Sequence, residues 1–387
     1  MKHRKLLMIP GPIEFTPEVM RAMAMPTTSH VAPAFVECMG QAIERTREVF
    51  LSPGGQPFIV AGSGTMAMDM AASNLIEPGD SALVINTGYF SDRFGAILER
   101  YGARVTHVNA AIGDAPSLDE VEAEIKKGDY KVLTVTHVDT STAVLTDVKG
   151  LAGLCRKYGI LSIVDGVCSV AGEELRQGEW GVDIVLTACQ KAIGVPPGLA
   201  LLVASPAAIE TFKKRRTPVG SYYSDWANWL PIMESYESRK AAYFGTQAVN
   251  LVWALNVSLE QILAEGMDKR FARHRLMSDA LKAGMTALAL KQIPVNADKA
   301  ANTLTAPYFP EGVTGSVLPL IVESGVILAG GLLPEIRDRY FRIGHMGVVS
   351  ASDILATVGA IEAGLAQAGY TFEHGAGLAA AQAVLLQ

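Results

Sequence analysis

Cysteine is scarce. The 387 residues contain four, Cys38, Cys155, Cys168 and Cys189, and no CxxC. That spacing builds neither a zinc site nor a disulfide framework, so the thiols read as buried and reduced, and no metal is expected. Basic runs are also scarce. The densest, Lys213-Lys214-Arg215-Arg216, lies in a chain of net charge −6 and reads as a solvated helix end rather than a nucleic-acid patch. A clean spanning helix is missing despite a mean hydropathy of +0.24. The most apolar stretch, Val317 to Leu333, is broken by Pro319, Glu323, Ser324 and three glycines. After the basic Met1-Lys2-His3-Arg4-Lys5, only Leu6 to Ile9 is apolar before Pro10-Gly11-Pro12, too short for a signal sequence. Val384-Leu385-Leu386-Gln387 is not a peroxisomal signal. The expected location is the cytoplasm, with no nucleic-acid or membrane partner.

What is present is a core. Hydrophobic residues make up 49% of the chain, and its length suggests two domains. From about residue 58 to 205, apolar runs alternate with helical patterns. Seven strands are predicted: Pro57 to Ala61, Ala82 to Asn86, Arg104 to Val108, Val132 to Thr136, Ile160 to Val164, Ile184 to Ala188 and Leu199 to Val203. Such alternation predicts a mostly parallel, seven-stranded α/β sheet covered on both faces. A helical stretch from Ala248 to about Leu290 contains Gly266, where a hinge is placed. Short strands at Thr303 to Tyr308, Val326 to Ala329 and Tyr340 to Ile343, with helices near Gly315 to Glu323 and over Ser352 to Ala368, predict a smaller α+β domain. The expected division is an arm over 1–22, a large domain over 23–265 and a small one over 266–387.

Ligands of open α/β sheets bind outside the carboxyl ends of the strands, so those ends carry the functional argument. After the first strand, Gly62-Ser63-Gly64-Thr65 opens a helix, and its free N–H groups can hold a phosphate; a plain glycine turn is the duller reading. Gly62-x-Gly64-x-x-Ala67 also matches a dinucleotide fingerprint. That reading needs an acid after the next strand, where Ile85-Asn86-Thr87 has none. Thr87-Gly88-Tyr89-Phe90 offers an aromatic that could lie on a cofactor ring or simply fill the core. His137-Val138-Asp139-Thr140-Ser141-Thr142 offers hydroxyls, or ordinary turn chemistry. Asp165 ends an apolar strand and needs a partner: a protonated pyridine, a basic side chain or backbone N–H groups. Lys191 lies in a tight connection between two apolar strands, where desolvation favours the neutral, nucleophilic amine; a lysine snorkelling to solvent is the alternative. Together, in this chain order, these are the parts that pyridoxal phosphate requires.

With these residues in place, the sequence resembles the fold-type I, class V aminotransferases, and among them the alanine–glyoxylate (serine–pyruvate) group. The likeness runs from Ile9-Pro10-Gly11-Pro12 to Arg342-Ile343-Gly344-His345-Met346-Gly347. It includes Ala61-Gly62-Ser63-Gly64-Thr65, Thr136 to Thr142, Asp165-Gly166-Val167-Cys168-Ser169, Gln190-Lys191-Ala192 and Tyr243-Phe244-Gly245-Thr246. The resemblance implies pyridoxal phosphate as cofactor, Lys191 as its Schiff-base lysine and Asp165 as partner of the ring nitrogen. It implies Val167 on one ring face and Phe90 on the other, where many relatives carry Trp. It further implies Thr140 at the ring hydroxyl, and Ser63, Gly64, Thr65 and Gln190 around the phosphate. Tyr243 and Thr246 would reach the neighbouring subunit's phosphate in a homodimer with shared sites. Arg342 would pair with the substrate carboxylate, and Gly11 would lie in an arm closing over the substrate.

The implied reaction is ping-pong transfer from a small amino acid, alanine or serine, to glyoxylate or pyruvate, with Lys191 as general base and acid. Several rivals are set beside it. A cysteine desulfurase needs a thiol in the C-terminal part, and none follows Cys189. Class V transamination of ureidoglycine, a phosphonate amine or pyridoxamine differs in pocket residues, expected near Tyr222, Tyr223, Trp226 and Arg342. An NAD-dependent oxidoreductase lacks its strand-end acid, and a non-catalytic regulator lacks a basic DNA-binding module.

Overall fold

The computed structural model describes residues 5–387. Its centre is a seven-stranded sheet: β1 (Gln56–Ala61), β2 (Ser81–Asn86), β3 (Arg104–Asn109), β4 (Val132–Thr136), β5 (Leu161–Asp165), β6 (Ile184–Ala188) and β7 (Leu199–Ala204). The spatial order is β1-β7-β6-β5-β4-β2-β3, and every pairing is parallel except the two made by β7. All residues of β4, β6 and β7 are buried, as a sheet covered on both faces demands. The seven strands are those expected.

Register places the chemistry on one edge. Thr136 at the end of β4 lies opposite Asp165, and Asp165 lies opposite Leu186 of β6. Leu199, where β7 re-enters the sheet, lies opposite Ala61 at the end of β1. The carboxyl ends of the parallel strands therefore converge where the chain turns from β6 into β7.

Two helices begin at that edge: α1 (Gly64–Leu75) after β1 and α2 (Tyr89–Arg100) after β2. Further along, α3 (Val249–Glu265) and α4 (Met267–Ala287) meet at Gly266, whose φ of +84° suits glycine. Residues Met277, Leu281, Ile321, Phe341, Ile343, Val358 and Ile361 form a second core, which also takes in Met8. Leu6–Leu7 pairs in parallel with Val326–Ile327, so the start of the chain adds a strand to this second core. Strand β8 (Phe341–Gly344) alternates as its two-residue period requires: Phe341 and Ile343 face the second core, and Arg342 faces away.

The structure departs from the sequence reading in places. Helices Pro17–Met23, Pro33–Val49, Trp226–Glu237 and Ala376–Leu385 were not anticipated, whereas the helix Pro206–Lys213 ends at the basic cluster as expected. In Trp226–Glu237, Pro231 interrupts the helical pattern, and Trp226, Trp229, Met233 and Tyr236 hold it by tertiary packing. The expected strand Thr303 to Tyr308 shrinks to Leu304–Thr305 with isolated bridges at Pro307 and Tyr308, since Pro307 has no N–H to give a ladder. The expected strand Val326 to Ala329 splits in two: Val326–Ile327 joins Leu6–Leu7, and Ala329–Gly330 pairs with β8. No helix among the described residues is long and apolar enough to cross a membrane.

Candidate active site

Lys191 lies in the turn between β6 and β7 and is only partly buried, which corrects the expectation of a sealed lysine. Its Nζ donates a hydrogen bond to the Pro10 carbonyl. Gly11 lies directly against that side chain, and its φ of +103° is one that favours glycine. The arm segment is thus packed on the amine.

The turn is held from behind. Arg270 of α4, 5% exposed, donates to the carbonyls of Ala192 and Ala171 at 2.7 Å each. Ser258 of α3 donates to the Ile193 carbonyl. His274, fully buried, contacts the Arg270 carbonyl through Nδ1 at 2.8 Å, and its Nε2 accepts from the Gly347 N–H at 2.9 Å. A carbonyl only accepts and an N–H only donates, which requires the neutral Nδ1–H form.

Burial, with the neighbouring arginines, holds His274 well below its ordinary 6.5. As pH falls through 6.5 the unfolded chain takes up a proton that the folded chain refuses. Stability is therefore full above that value and lost as pH falls toward the folded pKa. Between pH 7.5 and 5 we expect the protein to lose about 2 kcal/mol relative to His274→Gln. Denaturant midpoints at several pH values check this, and a gap that does not change with pH would contradict it.

Asp165, 2% exposed, accepts the Val167 N–H at 2.9 Å through Oδ1. Burial pushes its carboxyl up to about 7; the Val167 N–H opposes the shift, the Asp139 carboxylate adds to it, and the charges of Lys191 and Arg93 also oppose it. No ion pair among the described residues includes it, so its acid form competes with its anion near neutrality. A cation placed at Asp165 would settle it as the carboxylate.

At the start of α1, the Ser63 hydroxyl makes no capping bond, and Ser63 and Thr65 are exposed. A Cβ on Gly64 would meet Val167 at 2.7 Å, so this helix end fits tightly against Val167. The buried Oε1 of Gln190 has no hydrogen-bond partner. Phe90, in the first turn of α2, is partly buried, with the Tyr89 ring edge-on to it at 5.4 Å.

Arg342 comes from β8. Its Nε donates to the Gly330 carbonyl at 2.9 Å and its Nη1 to the Thr140 carbonyl at 3.3 Å. Of the five N–H donors of a guanidinium, that leaves three. No ion pair among the described residues includes Arg342. Thr140 is buried, and the Cys168 thiol beside it senses Lys191, Asp165 and Arg342 together. Through Thr140, Arg342 reaches the loop that follows β4, and Thr136 at the end of that strand lies opposite Asp165.

Tyr243 and Thr246 stand apart. Tyr243 is 65% exposed, its ring 5.1 Å from that of His30, and Thr246 is also exposed. Trp226 is excluded from any substrate pocket: it is fully buried and stacks on Phe58 of β1 at 5.1 Å. Tyr222 is exposed, while the Tyr223 hydroxyl reaches the Ala61 carbonyl at 3.3 Å, next to the α1 N-terminus.

Sequence reasoning missed Ser141, Tyr340 and Arg93. Ser141 holds the Asp139 carboxylate through its N–H and hydroxyl, at 2.8 and 2.6 Å. Its hydroxyl accepts the Tyr89 N–H at 3.1 Å, and its carbonyl accepts the buried Tyr340 hydroxyl at 2.5 Å. One serine thus ties the Phe90 turn to the strand that carries Arg342. Arg93 sits three residues after Phe90, on the same helix face, and that spacing was the available signal.

Residues 18–332 match the family model described as Aminotransferase class-V. The chain is 40% identical over 361 residues to alanine–glyoxylate aminotransferase 1 of Saccharomyces cerevisiae, covering 89% of this chain and 93% of the yeast protein. It is 31% identical to the L-aspartate–glyoxylate aminotransferase of Paracoccus denitrificans, covering 99% and 96%. The crystal structure of the ureidoglycine–glyoxylate aminotransferase of Bacillus subtilis superposes with a TM-score of 0.94 at 28% identity, covering 100% of this chain and 99% of that one.

Proposed function

Because the chain belongs to the class-V aminotransferase family, we propose that it moves the amino group of alanine or serine to glyoxylate or pyruvate, using pyridoxal phosphate carried on Lys191. The residues present fit that cofactor. Asp165 is a buried carboxyl without a cation, the Gln190 amide has an orphaned oxygen, and Ser63 leaves a hydroxyl free at a helix N-terminus. When bound, pyridoxal phosphate supplies an aldehyde carbon that accepts the amino group and a ring that draws electrons from the substrate's α-carbon.

The chain supplies the rest. Lys191 Nζ would hold the cofactor and, when free, would take the proton from the substrate's α-carbon. Asp165 stays ionised against the ring nitrogen's proton, with one oxygen held by the Val167 N–H. Phe90 and Val167 would orient the ring, Thr140 would bond its hydroxyl, and Ser63, Gly64, Thr65 and Gln190 would hold the phosphate. Gly11 and the Pro10 carbonyl roof the amine and keep water from it. Tyr243 and Thr246 complete the site of a second copy; their exposure, with that of Tyr222, supports this.

The observation that carries the substrate class is Arg342: one desolvated guanidinium, held only by backbone carbonyls, with donors to spare for one carboxylate. Steady-state assays of alanine, serine, glycine, aspartate, ureidoglycine and pyridoxamine against glyoxylate and pyruvate test the reading. We expect the highest kcat/KM for alanine or serine with glyoxylate. A clear preference for aspartate, ureidoglycine or pyridoxamine would overturn it.

A further inference from the structure

Arg93 is a cation in an unexpected place. Its Nη1 donates to the Thr65 hydroxyl at 3.0 Å, within the first turn of α1. The N-terminus of a helix carries the positive end of its dipole, and acids are favoured there, not bases. No ion pair among the described residues includes Arg93, although its charge acts on the buried Asp165 carboxyl. Its guanidinium is otherwise held by aromatic groups. The guanidinium carbon lies 5.0 Å from the centre of the Phe90 ring and 5.1 Å from that of Tyr89, and Nη2 donates to the Tyr89 hydroxyl at 3.3 Å. Two positive features thus face each other across the Thr65 hydroxyl, with the uncapped Ser63 beside them.

We infer that Arg93 is a phosphate-binding residue of the cofactor site, pairing with the cofactor's phosphate between the α1 N-terminus and Phe90. This rests on the pyridoxal phosphate reading above. A phosphate ester carries close to two negative charges at neutral pH, and an anion between the helix end and the guanidinium satisfies both. The guanidinium has donors left for phosphate oxygens after its bonds to Thr65 and Tyr89. It also braces the ring that stacks on the cofactor, so one side chain serves both ends of the ligand.

The test separates the phosphate from the ring. Protein stripped of cofactor is titrated with pyridoxal phosphate and, separately, with pyridoxal, which lacks the phosphate; binding is read by tryptophan fluorescence and visible absorbance. Arg93→Ala is expected to weaken pyridoxal phosphate by about 10- to 100-fold, the range for a lost charge-assisted bond, and pyridoxal by less than about twofold. Inorganic phosphate should strengthen pyridoxal binding to the unaltered protein and not to the variant. Arg93→Gln keeps bulk over Phe90, loses the charge, and should give the same split if the alanine variant does not fold. Equal losses for both ligands would reduce Arg93 to a brace for Phe90. No loss for either would remove it from the site. If the unaltered protein develops no visible band with pyridoxal phosphate, the cofactor reading itself fails, and this outcome is distinct from the other two.

Discussion

Lys191→Ala is expected to abolish turnover, by more than about 10⁴-fold, and to remove the visible band of lysine-bound pyridoxal. The structure gives the reason. Nζ is the amine roofed by Pro10 and Gly11 and held by a turn that α3 and α4 brace from behind. On the proposed mechanism, removing it takes away both the covalent anchor and the group that moves the α-proton. The cofactor should still bind, since Ser63, Thr65, Asp165 and Phe90 remain. Absorbance spectra and single-turnover kinetics measure the two effects independently. A variant that keeps both the band and turnover would place the chemistry on another amine.

Arg342→Ala is expected to raise the KM for the amino acid by about 10²- to 10³-fold while changing pyridoxal phosphate affinity little. Losing one partner of a desolvated, hydrogen-bonded charge pair costs about 2–5 kcal/mol. Arg342 is such a partner: burial lowers its pKa, and backbone carbonyls fix its direction. Arg342→Lys should recover little, because a lysine cannot offer the planar fork that a carboxylate accepts. Amines without a carboxylate should be nearly indifferent to the change. Titrating substrate and cofactor against both variants checks the split; equal losses would point to collapse of β8 rather than loss of an anchor.

Much of this arrangement was legible in the sequence. The sheet was readable because β4, β6 and β7 are short runs of apolar residues and threonine with no charge, and Asp165 and Lys191 stood out as charges at or after the ends of such runs. Local pattern could not show what depends on long-range contact. Pro231 obscured the helix Trp226–Glu237, and Trp226, read as a pocket residue, packs on Phe58, 168 residues earlier in the chain. Ser141 gave no signal beyond its place in a hydroxyl-rich loop, since its partners Tyr89 and Tyr340 lie 52 and 199 residues away. The burial expected for Lys191 came from its flanking strands, and the residue is instead partly exposed, with its amine bonded to the arm.

That arm has a mechanical consequence. Leu6 and Leu7 pair in a ladder with Val326 and Ile327, and Met8 packs in the same core as Phe341 and Ile343, on either side of Arg342. The segment over the amine and the strand that carries Arg342 thus hang from one core. A substitution that loosens that core is therefore expected to disturb Gly11 and Arg342 together, although neither residue is touched.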